Sequence, residues 1–212
     1  MIIAIDGPAG SGKTTVARLL AQSLGIFYLD TGATYRVLTY LALNNNLNLS
    51  DKSALKELAQ NLNLKIERNE IYLNGAAIDD KIRTPAINKN ISLIVSFPEV
   101  REVMVNLQRK LAQEGDFVVE GRDIATVVFP KAKYKFYLDA DSDIRAQRRF
   151  KEFKDKGLSV DFEETKKNLE KRDYADKNRE IGPLRISDDA IVIDTTGLTI
   201  EGSVEAIKKY IG

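Results

Sequence analysis

The sequence contains no cysteine and no histidine. The first absence excludes disulfides, a thiolate nucleophile and a cysteine-rich zinc site. The second removes an imidazole general base. Chemistry must therefore run on lysine, arginine, carboxylates, hydroxyls and any metal bound through oxygen. An excess of one charge is also missing: 32 basic residues face 31 acidic ones, for a net charge of +1, which argues against bulk nucleic-acid binding. No apolar run approaches the roughly 18 residues of a membrane span, and the N-terminus lacks a basic leader with a cleavage site. A cytoplasmic protein with no membrane partner is expected. There is no internal repeat and no low-complexity linker. With 43% hydrophobic and 30% charged residues over 212 positions, the chain suits one α/β domain carrying an inserted module.

The most informative segment is Gly7-Pro8-Ala9-Gly10-Ser11-Gly12-Lys13-Thr14-Thr15. Its Gly-x4-Gly-Lys-Thr spacing builds a phosphate cradle (a P-loop), because glycines allow a tight loop whose N–H groups converge on an anion. Lys13 reaches the β- and γ-phosphates of a nucleotide, and the Thr14 hydroxyl ligates Mg²⁺. The flanks agree. Met1 to Ile5 reads as a buried parallel strand, and Thr14 to Ala21 opens a helix whose positive end faces the loop.

Strand-like and helix-like segments alternate onward. Ile26–Leu29, Phe117–Val119, Tyr134–Leu138 and Ala190–Ile193 are short apolar runs. Helices are expected over about 33–43, 51–61, from Pro98 to a stop at Gly115, about 141–156, about 161–178 and 199–211. Residues 64–78 break the pattern: alternation around Arg68-Asn69-Glu70, then Asn74-Gly75, reads as a small antiparallel insert. The expected fold is a five-stranded parallel sheet with helices on both faces.

Open α/β sheets bind ligands at the carboxyl ends of their strands. There, Thr31 to Arg36 follows the second strand and Glu120-Gly121-Arg122-Asp123 follows the third. Arg36 could be a surface helical residue, and Arg122 could pair with Asp123. Beside a P-loop, both suit phosphate binding through the planar guanidinium. A third cluster holds Arg145, Arg148 and Arg149, then Arg172, Asp173, Asp176 and Arg179. It reads either as a salt-bridged helix pair or as a lid bringing arginines onto a transferring phosphoryl group. For Lys151 to Lys156 the solvated face is preferred.

These residues carry a family resemblance along nearly the whole chain. Ile5 to Thr14, Leu29 to Arg36, Ile82-Arg83-Thr84, Ser96 to Arg101, Gly121 to Pro130, and Arg172-Asp173 to Asn178-Arg179 resemble the bacterial cytidylate kinases, within the nucleoside monophosphate kinases. The resemblance implies a P-loop NTPase fold in a single chain, 1–212. It implies a core (1–30, 116–140, 180–212), a monophosphate-binding region (31–115, with the β insert at about 63–80) and a lid with flanking helices (141–179). ATP as donor, Mg²⁺ as cofactor, CMP and dCMP as acceptors and a monomeric state are likewise implied. By position, Thr31, Arg101 and Asp123 match residues that recognise cytosine, with Tyr35 beside them. Arg36, Arg122 and Arg179 match the acceptor-phosphate clamp. Arg172 and Asp176, supported by Ser92, match the pentose contacts. Lys13, Arg122, Arg179 and the lid arginines Arg145 and Arg149 are implied in catalysis, with the choice among Arg145, Arg148 and Arg149 open. Thr31, Glu120 and Ala125 stand where serine, aspartate and glycine are frequent, which bears only on fine substrate preference. Two rivals are a P-loop kinase for another acceptor, such as UMP or shikimate, and a non-catalytic nucleotide switch.

Overall fold

The computed structural model describes residues 1–67, 69–155 and 157–211. Five parallel strands form the central sheet: β1 (Ile2–Asp6), β2 (Phe27–Asp30), β6 (Phe117–Gly121), β7 (Tyr134–Asp139) and β8 (Ile191–Asp194). Their spatial order is β2-β6-β1-β7-β8. The near-continuous apolar β1 follows from its central place, covered on both faces: Ile3, Ala4 and Ile5 are fully buried. On one face, α1 (Lys13–Leu24) packs Val16, Ala17 and Leu20 with Val204 and Ile207 of α8 (Ile200–Lys208). On the other, Val105 and Ala112 from and just beyond α5 (Pro98–Leu111) cover Ala4, Leu29 and Val119.

A separate core unites α2 (Thr31–Asn44), α3 (Lys52–Gln60), α4 (Pro85–Ser96) and α5 with the antiparallel sheet β3 (Leu64–Glu67), β4 (Glu70–Leu73) and β5 (Ala76–Ala77). Leu64, Ile71 and Leu73 bury their side chains in this core, so the small sheet depends on the helices beside it. Burying a side chain such as Leu55 or Ile82 contributes about 1.5–3 kcal/mol. The remaining helices are α6 (Ser142–Asp155) and α7 (Phe162–Asn178), which pack on each other.

The expected sheet and most helices are present, with several differences. Helix α2 starts at Thr31 rather than near residue 33, because Asp30 caps it by accepting from the Ala33 N–H at 3.0 Å. Helix α5 stops at Leu111, before Gly115, and α8 ends at Lys208. Helix α4 was not expected: Thr84 caps it, Pro85 opens it, and Ile87, Ile91 and Ile94 form its buried face. A break at Phe97, held extended by the following proline, separates it from α5. Arg68 of the hairpin turn and Lys156 of the charged segment lie outside the described residues.

The crevice falls where the connectivity reverses. From β1 the chain leaves toward β2, and from its neighbour β6 toward β7 on the opposite side. The carboxyl ends of β1 and β6 therefore open side by side.

Candidate active site

The loop after β1 carries Gly7, Pro8, Ala9, Gly10, Ser11 and Gly12 into α1. Gly10 and Gly12 hold left-handed φ values of 77° and 85°. A Cβ on Gly10 would lie 2.9 Å from the Arg145 carbonyl oxygen, so glycine is required for space as well as for backbone angle. Lys13 folds back beneath the loop, and its Nζ donates to the Pro8 carbonyl at 3.0 Å. The Thr14 hydroxyl donates to Glu120 Oε1 at 2.6 Å, joining α1 to the end of β6. The Ser11 carbonyl accepts from Thr195 Oγ1 at 3.0 Å, which ties the loop to the end of β8.

A cleft of about 350 Å³ opens from this loop. Ala9, Gly10, Lys13, Thr14 and Thr15 line one wall, and Thr31, Tyr35, Arg36, Ser92, Arg101, Arg122, Asp123, Arg149, Arg172, Asp176 and Arg179 line the rest. Residues from α2, α4, α5, β6, α6 and α7 thus meet in one space. Thr31 Oγ1 donates to the Glu120 carbonyl at 2.8 Å. Arg101 and Asp123 form a buried ion pair in this lining, with Arg179 Nη2 3.7 Å from the other Asp123 oxygen. Tyr35 lies beneath Arg101, ring centroid to guanidinium 5.9 Å, with its hydroxyl buried near Gln108. Arg122 Nε donates to Asp176 Oδ2 at 2.7 Å.

Cations outnumber carboxylates around this cleft, and burial is the largest influence on the proton affinities of several of them. Burial, followed by the field of Arg122, lowers the Lys13 ammonium to about 7. The same causes lower Arg172 to about 10. Among the described residues Arg172 has no hydrogen-bond or ion-pair partner, although Asp176 lies near enough to favour its charge. Burial also lowers Arg36 and Arg179. Burial raises Asp176, but Arg122, Arg172 and Arg179 together take it below the usual carboxylate range. Such a cluster is poised to receive a polyanion that supplies the missing negative charge.

Two arginines from the lid cluster lie elsewhere. Arg145 is absent from the cleft lining: its Nε donates to the Ala140 carbonyl at 3.0 Å, its Nη1 to the Ala9 carbonyl at 3.1 Å, and it pairs with Asp173. Arg148 Nη1 donates to Thr195 Oγ1 at 3.1 Å. Arg149 does face the cleft, paired with Glu152 at 2.6 Å. Two features carried no assigned role in the sequence. Arg83 lines the cleft and bridges Asp30 at 3.2 Å and Asp79 at 3.7 Å. The Asp6 carboxylate accepts two backbone N–H bonds from the loop after β6. Their positions in quoted motifs were the only signal.

A phosphate loop between the first strand and helix, facing a cationic wall across the carboxyl edge of a parallel sheet, defines a P-loop kinase. The solved structure of shikimate kinase from Bacteroides thetaiotaomicron shares this fold, with a TM-score of 0.50 at 10% identity over 100% of this chain and 98% of that one. The family model for cytidylate kinase matches residues 3–212. The chain is 48% identical over 205 residues to the cytidylate kinase of Alkaliphilus oremlandii, covering 97% of this chain and 94% of that protein. It is 44% identical over 211 residues to the cytidylate kinase of Fusobacterium nucleatum, covering 100% and 97%. The chain belongs to the cytidylate kinase family and is a phosphotransferase.

Proposed function

We propose that this enzyme transfers the γ-phosphoryl group of ATP to CMP and dCMP, giving ADP with CDP or dCDP. The carrying observation is the buried Arg101–Asp123 pair, which lines the same cleft as Thr31 and Lys13. Cytosine presents an exocyclic amine that needs an acceptor and a carbonyl that needs a donor. A carboxylate, a guanidinium and a hydroxyl supply that set. Arg36, Arg122 and Arg179 would hold the acceptor phosphate. Arg172 and Asp176, with Ser92 behind them, would contact the pentose.

No general base is required. A phosphate monoester has a second pKa near 6, so the acceptor arrives largely as a dianion with a nucleophilic oxygen already exposed. That oxygen attacks the γ-phosphorus while the bond to the β-phosphate oxygen breaks, and ADP leaves. Lys13, Arg122, Arg149 and Arg179 would stabilise the charge that spreads over the transferring group. Arg145, held against Ala9, would act on the shape of the P-loop.

The donor set suits Mg²⁺. Thr14 offers a hydroxyl with Glu120 beside it, and the described residues contain no cluster of three acidic or histidine ligands. Mg²⁺ favours such sparse sites, completing its shell with water and phosphate oxygens. When bound it would neutralise charge between the β- and γ-phosphates.

The reading extends to a core, an acceptor-binding region over 31–115 and a lid over 141–179 that closes to exclude water. It includes a monomer acting in the cytoplasm; no helix among the described residues is long and apolar enough to cross a membrane. The test is a coupled ADP-release assay with ATP and Mg²⁺, offering CMP, dCMP, UMP, AMP, GMP and shikimate separately. Turnover confined to CMP and dCMP supports the reading. Preference for another acceptor removes the cytosine roles, and no turnover with any acceptor removes the reaction.

A further inference from the structure

Asp6 ends β1, one residue before the P-loop, and is 1% exposed. Its main chain is registered against Gly121 in the parallel β1–β6 ladder. Its side chain reaches past that pairing to the turn beyond. Oδ1 accepts from the Ile124 N–H and Oδ2 from the Ala125 N–H, both at 2.8 Å. Those two amides open a π-helical turn over Ile124–Val128, a rare conformation that tends to mark functional segments.

The consequence is geometric. Gly121 is held by the Asp6 backbone and Ile124 by the Asp6 carboxylate. Between these anchors lie only two residues, Arg122 and Asp123. Their side chains pair with Asp176 of α7 and Arg101 of α5, both of which line the cleft. A single residue thus pins both ends of the dipeptide that pairs with these two helices.

We propose that Asp6 is a positioning residue for the acceptor subsite, fixing Arg122 and Asp123 through its backbone pairing with Gly121 and its carboxylate bonds to Ile124 and Ala125. The proposal rests on the acceptor-side roles given above to Arg122 and Asp123. A carboxylate suits the task because two N–H donors require two acceptor oxygens, whereas an amide offers one. Stability alone is a poor reason to retain it. Burial raises this carboxyl to about 6, and the nearby Asp123 charge adds to that, against the opposing effects of the two N–H bonds and Arg122. A group kept charged in so unfavourable a place is better explained by what it holds.

The discriminating variant is Asp6→Asn, which keeps shape and volume but sets an NH₂ group against one of the two N–H donors. The expected result is a rise of at least about tenfold in KM for CMP, as a buried charge-assisted bond is lost. The dissociation constant for ATP should stay within about twofold, since the P-loop contacts are untouched. Equal weakening of both nucleotides would reduce Asp6 to a general structural role and overturn the proposal, as would an unchanged KM for CMP. Asp123→Ala is assayed alongside. If it leaves acceptor binding intact, the cytosine reading itself has failed; if it weakens CMP while Asp6→Asn does not, only the role of Asp6 has failed. Should Asp6→Asn not fold, amide hydrogen exchange on the unmodified protein decides. The Ile124 and Ala125 amides must exchange as slowly as those of β6, and fast exchange there overturns the proposal.

Discussion

Arg101 and Asp123, 22 residues apart, close on each other inside the cleft with almost no exposure, and each has a second neighbour. Tyr35 lies against the guanidinium, and Arg179 approaches the free carboxylate oxygen. Removing the carboxylate takes from Arg101 its ion-pair partner and from Arg179 its nearest counter-charge. Asp123→Ala should therefore cost about 3 kcal/mol of stability, as expected for half of a buried pair. It should also weaken CMP use far more than ATP binding. Thermal melts with separate acceptor and donor titrations check both effects, and equal losses for the two nucleotides would remove Asp123 from base recognition.

Gly182 guards the same pair. Its φ is +59°, and a Cβ there would collide with Asp123 Oδ2 and Arg101 Nη2. Gly182→Ala is expected to displace the pair and raise KM for the acceptor at least about tenfold, with donor affinity preserved. Steady-state kinetics with each nucleotide varied in turn reads this directly.

Lys13 is the cation beneath the phosphate loop. Lys13→Ala should lower turnover by at least about 10²-fold, because preorganised charge at the transferring group is lost. Near-normal turnover would mean that the loop does not hold the reacting phosphates.

The same lysine predicts a proton linkage. Its folded pKa of about 7 lies below the ordinary lysine value of 10.5, so between these values the unfolded chain binds more protons. This group's contribution therefore disfavours the folded state below about pH 7, and the penalty disappears as pH rises toward the usual lysine range. A bound phosphate favours the ammonium form. Nucleotide binding at pH 8 should then take up a fraction of a proton, and uptake should vanish near pH 6. Calorimetry in two buffers of different ionisation enthalpy measures it; proton release at pH 8 would contradict the assignment.

Arg145 and Arg149, one helical turn apart, should separate by kinetics. Arg149→Ala is expected to lower turnover at least about tenfold with both nucleotide affinities little changed. Arg145→Ala should weaken ATP binding, because the Ala9 carbonyl loses its donor and Asp173 its partner. The reverse pattern would exchange their roles.

Much of the fold was legible because its signals are local. The P-loop, the apolar strands and the alternating hairpin each declare themselves within a dozen residues. Helix α4 did not. Its isoleucines at 87, 91 and 94 keep helical spacing, but Asn88, Lys89 and Asn90 between them dilute the apolar signal. The π-helical turn was equally silent, since Asp6 stabilises it from 118 residues away.

By itself the sequence determined the phosphate-binding loop, the parallel α/β plan and the absence of histidine or thiol chemistry, because each depends on residue type and short-range spacing. Tertiary structure decided which way the arginines point. Arg145 and Arg149 sit four residues apart on one helix, yet the P-loop and Asp173 draw one away while the other lines the cleft. Arg172 and Asp173 are adjacent, yet one lines the cleft and the other accepts from the Ala9 N–H at 3.3 Å. A charged side chain settles where distant partners offset its desolvation, and those partners are brought together only by the packing of the whole chain.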